Sequence, residues 1–84
     1  MEKIDVEREI LGQLMIKFEL ADKFLAQLKE SDFSDVRHKY FYKLVNVLVQ
    51  TNATDFNFSE IFATYPKAIS ACGGIEYLAD LVAN

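Results

Sequence analysis

The chain has little of what breaks helices, crosslinks segments or crosses membranes. Its 84 residues include one proline and three glycines, which favours helices over a strand-and-turn design. The single cysteine, Cys72, excludes an intramolecular disulfide and fits a reducing compartment as a small buried hydrophobe. No apolar run approaches the roughly 18 residues that a membrane span needs, and no signal-peptide core directs export. These absences predict one small cytoplasmic domain without a membrane partner.

Positive charge is also scarce, with nine basic residues against thirteen acidic ones and a formal net charge of −4. DNA-binding proteins usually present a basic face, because counterion release from phosphates supplies most of their affinity. The densest basic stretch, Arg37-His38-Lys39 with Lys43, is short, and such a run is usually a solvated helix face. We therefore expect no direct nucleic-acid contact. A small helix-turn-helix DNA binder stays open as an alternative, and it predicts salt-sensitive DNA affinity.

Apolar residues are plentiful, at 51% of the chain with seven Phe and four Tyr, so there is material for a core. A first amphipathic helix is predicted from six apolar residues at helical spacing. They are Val6, Ile10, Leu11, Leu14, Met15 and Phe18. Asp5 is the expected N-cap, with Glu7 in the first turn. Gly12 costs about 1 kcal/mol there relative to Ala, which predicts that another helix crosses closely.

Two more helices are predicted in the middle of the chain. A short one covers residues 19–28, where Leu20, Phe24, Leu25 and Leu28 follow a period of 3.6. Ser34 is expected to cap a longer third helix that ends near Gln50. Its apolar positions are Val36, Tyr40, Phe41, Leu44, Val47 and Leu48. The run "LVNVLV" at residues 44–49 would also suit a strand because of its β-branched valines, but the continuous helical period favours a helix.

Asn57 gives the clearest helix start. With Asn57 as N-cap, Glu60 completes a capping box and Phe56 can pack on Ile61 as a hydrophobic staple. That helix should end near Tyr65, because the residue before a proline is driven away from helical geometry.

The C-terminal part adds two more helices. Pro66 suits the first turn of a fifth helix. After Gly73-Gly74, a last helix is expected to place Ile75, Leu78, Ala79 and Val82 on one face. The sequence thus predicts an all-α domain, a compact orthogonal bundle of about six short helices.

The glycine pair Gly73-Gly74 before a helix start also resembles how phosphate sites are built. A Walker-type loop, however, needs Lys and Ser or Thr after its glycines, whereas this chain has Ile75 and Glu76. A dinucleotide fingerprint needs a preceding strand, and here a helix is predicted. The Glu76 carboxylate would also repel a phosphate. The glycines are therefore interpreted as a left-handed helix end followed by a new helix start.

Other candidate reactive groups are few. His38 is the only histidine, so it can form no multi-histidine metal site; a Cys72–His38 nucleophile pair would need a third orienting group. Asp32 and Asp35 could be a carboxylate pair, although turn and cap roles are more usual before a helix. We predict no active site, no metal and no cofactor.

The aromatic residues are spaced as core residues, with room for one or two on an exposed contact face. They are Phe18, Phe24, Phe33, Tyr40, Phe41, Phe56, Phe58, Phe62 and Tyr77.

Three segments, in order, resemble the N-terminal domain of DnaB-type replicative DNA helicases. "VEREILGQLM" resembles the family's E-x-x-[VI]-L-G-x-[LM] through Glu7, Leu11 and Gly12. "LKESDFSDVRHKYFYKLVNVL" resembles L-x-x-x-D-F-x-x-x-x-H-x-x-[IF]-[FY] through Asp32, Phe33, His38 and Phe41. "GGIEYLADL" resembles G-G-x-x-Y-L-x-x-L through Gly73, Gly74, Tyr77, Leu78 and Leu81. Asn57 stands where the family usually has a helix-opening Asp, and the segment "ATYPKAISA" departs from the family.

The resemblance implies a structural role for these motif residues, in the globular head of a helicase collar. Such collars assemble as trimers of dimers and dock primase or a helicase loader. ATP, Mg²⁺ and DNA translocation would belong to the ATPase domain of a parent helicase, which with a helical hairpin and a linker lies outside residues 1–84. The alternative is a stand-alone phage- or plasmid-type adaptor of the same fold that regulates helicase or primase. An enzyme using Cys72 or His38 is the remaining alternative.

Overall fold

Six α-helices and two short 3₁₀ turns make up residues 3–83, the part of the chain that the structure, a computed structural model, describes. The helices are α1 (Lys3–Ile16), α2 (Ala21–Gln27), α3 (Val36–Gln50), α4 (Phe58–Thr64), α5 (Pro66–Ala71) and α6 (Gly74–Ala83), with 3₁₀ turns at Phe18–Leu20 and Glu30–Asp32. Within residues 3–83 there is no strand. The predicted all-α class and the six helices are confirmed. Met1, Glu2 and Asn84 of the predicted 1–84 domain lie outside the described residues.

The first and last helices form the most extensive helix–helix contact in the domain. At its centre, a Cβ atom added to Gly12 would collide with the backbone carbonyl oxygen of Leu81. Arg8 lies against Tyr77 one turn earlier on each helix, so α1 and α6 run in the same general direction. The close crossing predicted from Gly12 is confirmed.

The core is organised around α3, which packs against α2 and α5. Its buried face consists of His38, Phe41, Leu44, Val45 and Leu48. The Phe41 ring stacks on Phe56 at 5.5 Å between centroids, and Phe56 in turn contacts Phe18 and Phe58 at 6.3 and 5.4 Å. One aromatic cluster therefore ties the first 3₁₀ turn, α3 and the start of α4 together.

Helix ends lie where local chemistry predicts them in the C-terminal half. The Asn57 side chain accepts a hydrogen bond from the Glu60 N–H at 3.0 Å and caps α4. Pro66 is the first residue of α5. Gly73 and Gly74 both have positive φ, 104° and 88°, as the helix-end interpretation requires.

Two predicted N-caps are wrong. Asp5 lies inside α1, because the helix already includes Lys3. Ser34 does not cap α3; the Asp35 carboxylate does, accepting the Arg37 N–H at 2.8 Å. Ser34 instead donates its hydroxyl to Glu7, which removes it from the cap position.

Several helix faces also differ from the prediction. Seven apolar residues assigned to the apolar faces of the helices are exposed: Val6, Leu20, Val36, Tyr40, Val47, Ile75 and Ala79. Val45 and Leu81 are buried in their place. These helices carry apolar residues on more than one side. Because a domain of this size buries a limited part of its surface, some of these apolar residues stay exposed.

Candidate functional site

A buried polar network joins α1, α3 and α6 through Glu7, His38 and Tyr77. The Nδ1 atom of His38 lies 2.8 Å from a Glu7 carboxylate oxygen, and its Nε2 atom lies 2.7 Å from the Tyr77 hydroxyl. Glu7 is 3% exposed and His38 is 0% exposed. A carboxylate only accepts, so Nδ1 donates to Glu7, and in a neutral imidazole Nε2 accepts from Tyr77. One residue from each of the three motif segments thus meets at a single point.

Glu7 is further held by the loop before α3. The backbone N–H and the hydroxyl of Ser34 donate to the same Glu7 oxygen at 2.9 and 2.8 Å. Burial alone would raise the pKa of Glu7, but the hydrogen bonds from His38 and Ser34 outweigh it and lower that pKa below its ordinary value of 4.5. Glu7 is therefore a carboxylate that fastens α1 to the entry of α3.

Two arginines lie against the ring of Tyr77. The guanidinium carbon of Arg37 is 3.9 Å from the ring centroid and that of Arg8 is 5.4 Å from it. Arg37 also pairs with Asp35 at 2.7 Å, and this bond lowers the pKa of Asp35 to about 2. A Cβ atom on Gly73 would come within 2.7 Å of the Tyr77 ring. Gly73 is thus required both by its backbone angle and by the packing of this ring.

The network is closed. Both imidazole nitrogens of His38 and both oxygens of Glu7 are engaged, and among residues 3–83 no buried side-chain polar atom lacks a hydrogen-bond partner. A general base or metal ligand needs an open lone pair facing a substrate or ion. The arrangement therefore positions three helices, with the nitrogens of His38 and the oxygens of Glu7 bonded within the chain.

A Cys–His nucleophile pair is not formed. Glu7 and Tyr77 occupy both nitrogens of His38. Cys72 is buried, and burial raises the pKa of its thiol to about 12, which suppresses the reactive thiolate. Among the described residues, no group of three or more His, Cys, Asp or Glu side chains could hold a metal ion.

The remaining candidate acids and bases have local structural partners. Asp32 accepts from the Lys29 N–H at 2.8 Å, and Asp35 caps α3, so these two acids take turn and cap roles. Lys43 lies 3.7 Å from Glu30. The basic stretch that was predicted to be a solvated face is therefore not fully solvated. The charge of Arg37 is paired with Asp35, and His38 is buried.

Of the other motif residues, Asp32 and Asn57 are exposed and five are in the core. Leu11, Phe33, Phe41, Leu78 and Leu81 are buried core residues. The sequence did not identify Ser34 or Arg8 as partners of this network. Ser34 bonds to the Glu7 carboxylate and Arg8 lies against the Tyr77 ring. These partners are many residues away along the chain, so no local sequence pattern indicates them.

The large apolar residues that are exposed are the other candidates for contacts with partners. Tyr40 and Phe62 are 44% and 47% exposed, which agrees with the expectation that one or two aromatic residues lie on an exposed face. Ile16 and Val36 are each 61% exposed. Single exposed apolar residues are common on protein surfaces, whereas a contiguous patch of them indicates a contact site. None of the helices in residues 3–83 has the length and apolar character to cross a membrane.

Comparison with known proteins gives one match. A family model described as "DnaB-like helicase N terminal domain" matches residues 1–84. No curated protein sequence and no solved structure matches the chain.

Proposed function

This chain belongs to the family of DnaB-like helicase N-terminal domains, and on that premise we propose that it is a non-catalytic assembly and partner-docking domain of a replicative DNA helicase in DNA replication. The match over residues 1–84 is the observation that carries the proposal. The network of Glu7, His38 and Tyr77 supports it, because these residues bond to one another and hold three helices together.

The proposed partners are further copies of the chain and a primase or helicase loader. The apolar groups that would serve such contacts are exposed on α1 and α3, at Ile16 and Val36, and on α4, at Phe62. Self-association would give a dimer, or a trimer of dimers within a parent hexamer. ATP and Mg²⁺ would act in the ATPase domain of that parent, with no cofactor held by these residues.

The first experiment measures the intact mass and ATPase activity of the native gene product. A product several times heavier than 9.6 kDa that hydrolyses ATP supports a helicase collar domain. A product of about that mass that binds a helicase or primase supports the stand-alone adaptor instead.

The second experiment titrates the 84-residue chain with purified replicative helicase and primase by calorimetry. Saturable binding to either supports a docking role. No binding to either, by a chain whose helical circular dichroism shows that it is folded, would contradict it.

A further inference from the structure

An apolar groove opens between α1 and α2. The two helices diverge from the 3₁₀ turn at Phe18–Leu20, since α1 packs on α6 while α2 packs on α3. The groove has a volume of about 370 Å³. Buried Leu14 and Phe24 form its floor, and Ile10, Leu20 and Leu28 form its walls.

The groove continues past Leu20 into a second depression of about 270 Å³. Gln13 and Leu20 line both, while Ile16 and Lys17 line only the second. Ile16 is 61% exposed and Leu20 is 40% exposed. The two depressions therefore form one continuous apolar surface along the end of α1 and the start of α2.

The charged side chains that line the two depressions are both lysines. Lys23 is the one charged side chain that lines the groove, and Lys17 the one that lines its continuation. The neighbouring acids Glu19 and Asp22 line a separate depression beside Val49. Glu9 and Asp5 line a further depression that shares Gln13 and Ile16 with the continuation, so the lysines are confined to the lining of the two apolar depressions.

We propose that this groove binds an amphipathic helix of a partner protein, with apolar side chains entering the groove and acidic side chains facing Lys17 and Lys23. Helix-in-groove recognition uses apolar anchors at i, i+3 or i+4, and i+7, which an elongated apolar channel accommodates. The lysines at the rim would set the orientation and association rate of the acidic partner. This inference rests on the proposed docking function and names the surface and the chemistry of its partner.

Charge complementarity favours this occupant over a second copy or a nucleic acid. A symmetric contact between two copies through the groove would bring Lys17 and Lys23 towards the same lysines of the other copy. A nucleic acid would meet only two cations and an apolar floor, which gives little of the phosphate neutralisation that its binding needs.

The test uses a synthetic helical peptide of 18 residues with Leu at the anchor positions, Glu on both flanks of the apolar face and one terminal Trp. The chain itself contains no Trp, so fluorescence anisotropy reports the peptide alone. The expected result is saturable binding that weakens at least about tenfold when Lys replaces every Glu of the peptide. Equal binding of the two peptides, or no binding, would overturn the proposal.

Variants of the chain locate the site. Ile16→Ser and Lys23→Glu should each weaken peptide binding at least about fivefold, because they remove an apolar wall and reverse the rim charge. The matched controls are Val47→Ser, at an exposed apolar residue on α3, and Lys67→Glu on α5. Thermal melts verify that each variant is folded. Equal losses in the controls, or none in the groove variants, would overturn the proposal.

Other occupants give distinct results. Self-association of the chain that Ile16→Ser abolishes would assign the groove to a second copy and overturn the proposal. Tighter binding of a DNA oligonucleotide than of the acidic peptide, lost in Lys23→Glu, would also overturn it.

The same variants separate this inference from the proposed function. Binding of primase or helicase that is insensitive to Ile16→Ser and Lys23→Glu would refute the groove site and leave the docking function standing. Groove-dependent binding of the acidic peptide by a chain that binds neither protein would refute the proposed helicase role and support the groove site.

Discussion

At the scale of single residues, Glu7 shows how an acid becomes part of a protein interior. Its carboxylate receives hydrogen bonds from the His38 imidazole and from both the backbone and the hydroxyl of Ser34. These donors replace the water that burial removes, so the charge is compensated. The same bonds fix the helix that carries Glu7 relative to the one that carries His38.

Replacing Glu7 with alanine should be severely destabilising. Glu7→Ala leaves the buried Nδ1 of His38 and the part-buried donors of Ser34 without an acceptor, and we expect a loss of about 2–4 kcal/mol in the free energy of unfolding. Glu9→Ala, at an exposed position on the same helix, is the control and should change it by less than about 0.5 kcal/mol. Urea unfolding followed by circular dichroism measures both. A loss below about 1 kcal/mol for Glu7→Ala would show that the network is not needed.

Acid should weaken the fold through Glu7 and Asp35. The folded-state pKa of Glu7 lies below 4.5 and that of Asp35 lies at about 2, below its ordinary 3.8. Both groups therefore bind protons more readily when unfolded, so their contribution is complete above the ordinary pKa values and is lost as pH falls from about 4.5 towards about 2. Melting temperatures measured between pH 7 and pH 2 should decline over that window. Asp35→Asn should make the decline shallower; an identical slope would exclude Asp35 as a cause.

The contacts of these residues could not be predicted from the sequence, although several of their positions could. Glu7, His38 and Tyr77 were identified as motif residues, but the pairs that touch are 31 and 39 residues apart. Ser34 and Asp35 are both good N-cap residues. Asp35 caps α3 because the Ser34 hydroxyl donates to the Glu7 carboxylate instead. That hydrogen bond forms only when α1 packs beside the start of α3, so the sequence near Ser34 does not indicate it.

At the scale of helices, local sequence predicted several helix boundaries correctly, but it did not predict correctly which face of each helix is buried. The Asn57 cap, Pro66 at a helix start and the positive φ of Gly73 each depend on neighbouring residues, and each was predicted correctly. On α3, Val47 was expected in the core, yet Val45 is buried. Both residues are valines, so their side chains do not determine which one is buried. That depends on where the neighbouring helices pack against α3.

Adding a single methyl group at Gly12 should separate two helices. Gly12→Ala would gain about 1 kcal/mol of helix propensity, but its Cβ collides with the Leu81 carbonyl, and overpacking costs about 1–3 kcal/mol. Because a backbone atom cannot rotate away, we expect net destabilisation, larger still for Gly12→Leu, with altered packing of α1 on α6. Gln13→Ala, exposed on the next position, is the control. A higher melting temperature for Gly12→Ala would contradict the close contact.

At the scale of the whole molecule, charge argues against nucleic acid as a partner. The net charge is −4, and of the basic residues on α3, Arg37 pairs with Asp35 and Lys43 lies near Glu30. We expect a dissociation constant weaker than about 100 µM for a DNA duplex at physiological salt, since non-specific binders reach about 10⁻⁴–10⁻⁶ M. Fluorescence anisotropy with labelled duplex at several salt concentrations tests this. Micromolar affinity that falls steeply with salt would favour the helix-turn-helix alternative.

The pairing of α1 with α6 has a consequence for biosynthesis. A ribosome that has released residues 1–73 has made every described helix except the one that covers Gly12 and supplies Tyr77 to His38. Chains emerge at about 5–20 residues per second. The surface of α1 that packs on α6 therefore stays exposed while the intervening helices are synthesised. Contacts of such long sequence separation also slow folding. Until α6 is released, the nascent chain is therefore open to chaperones and to premature association.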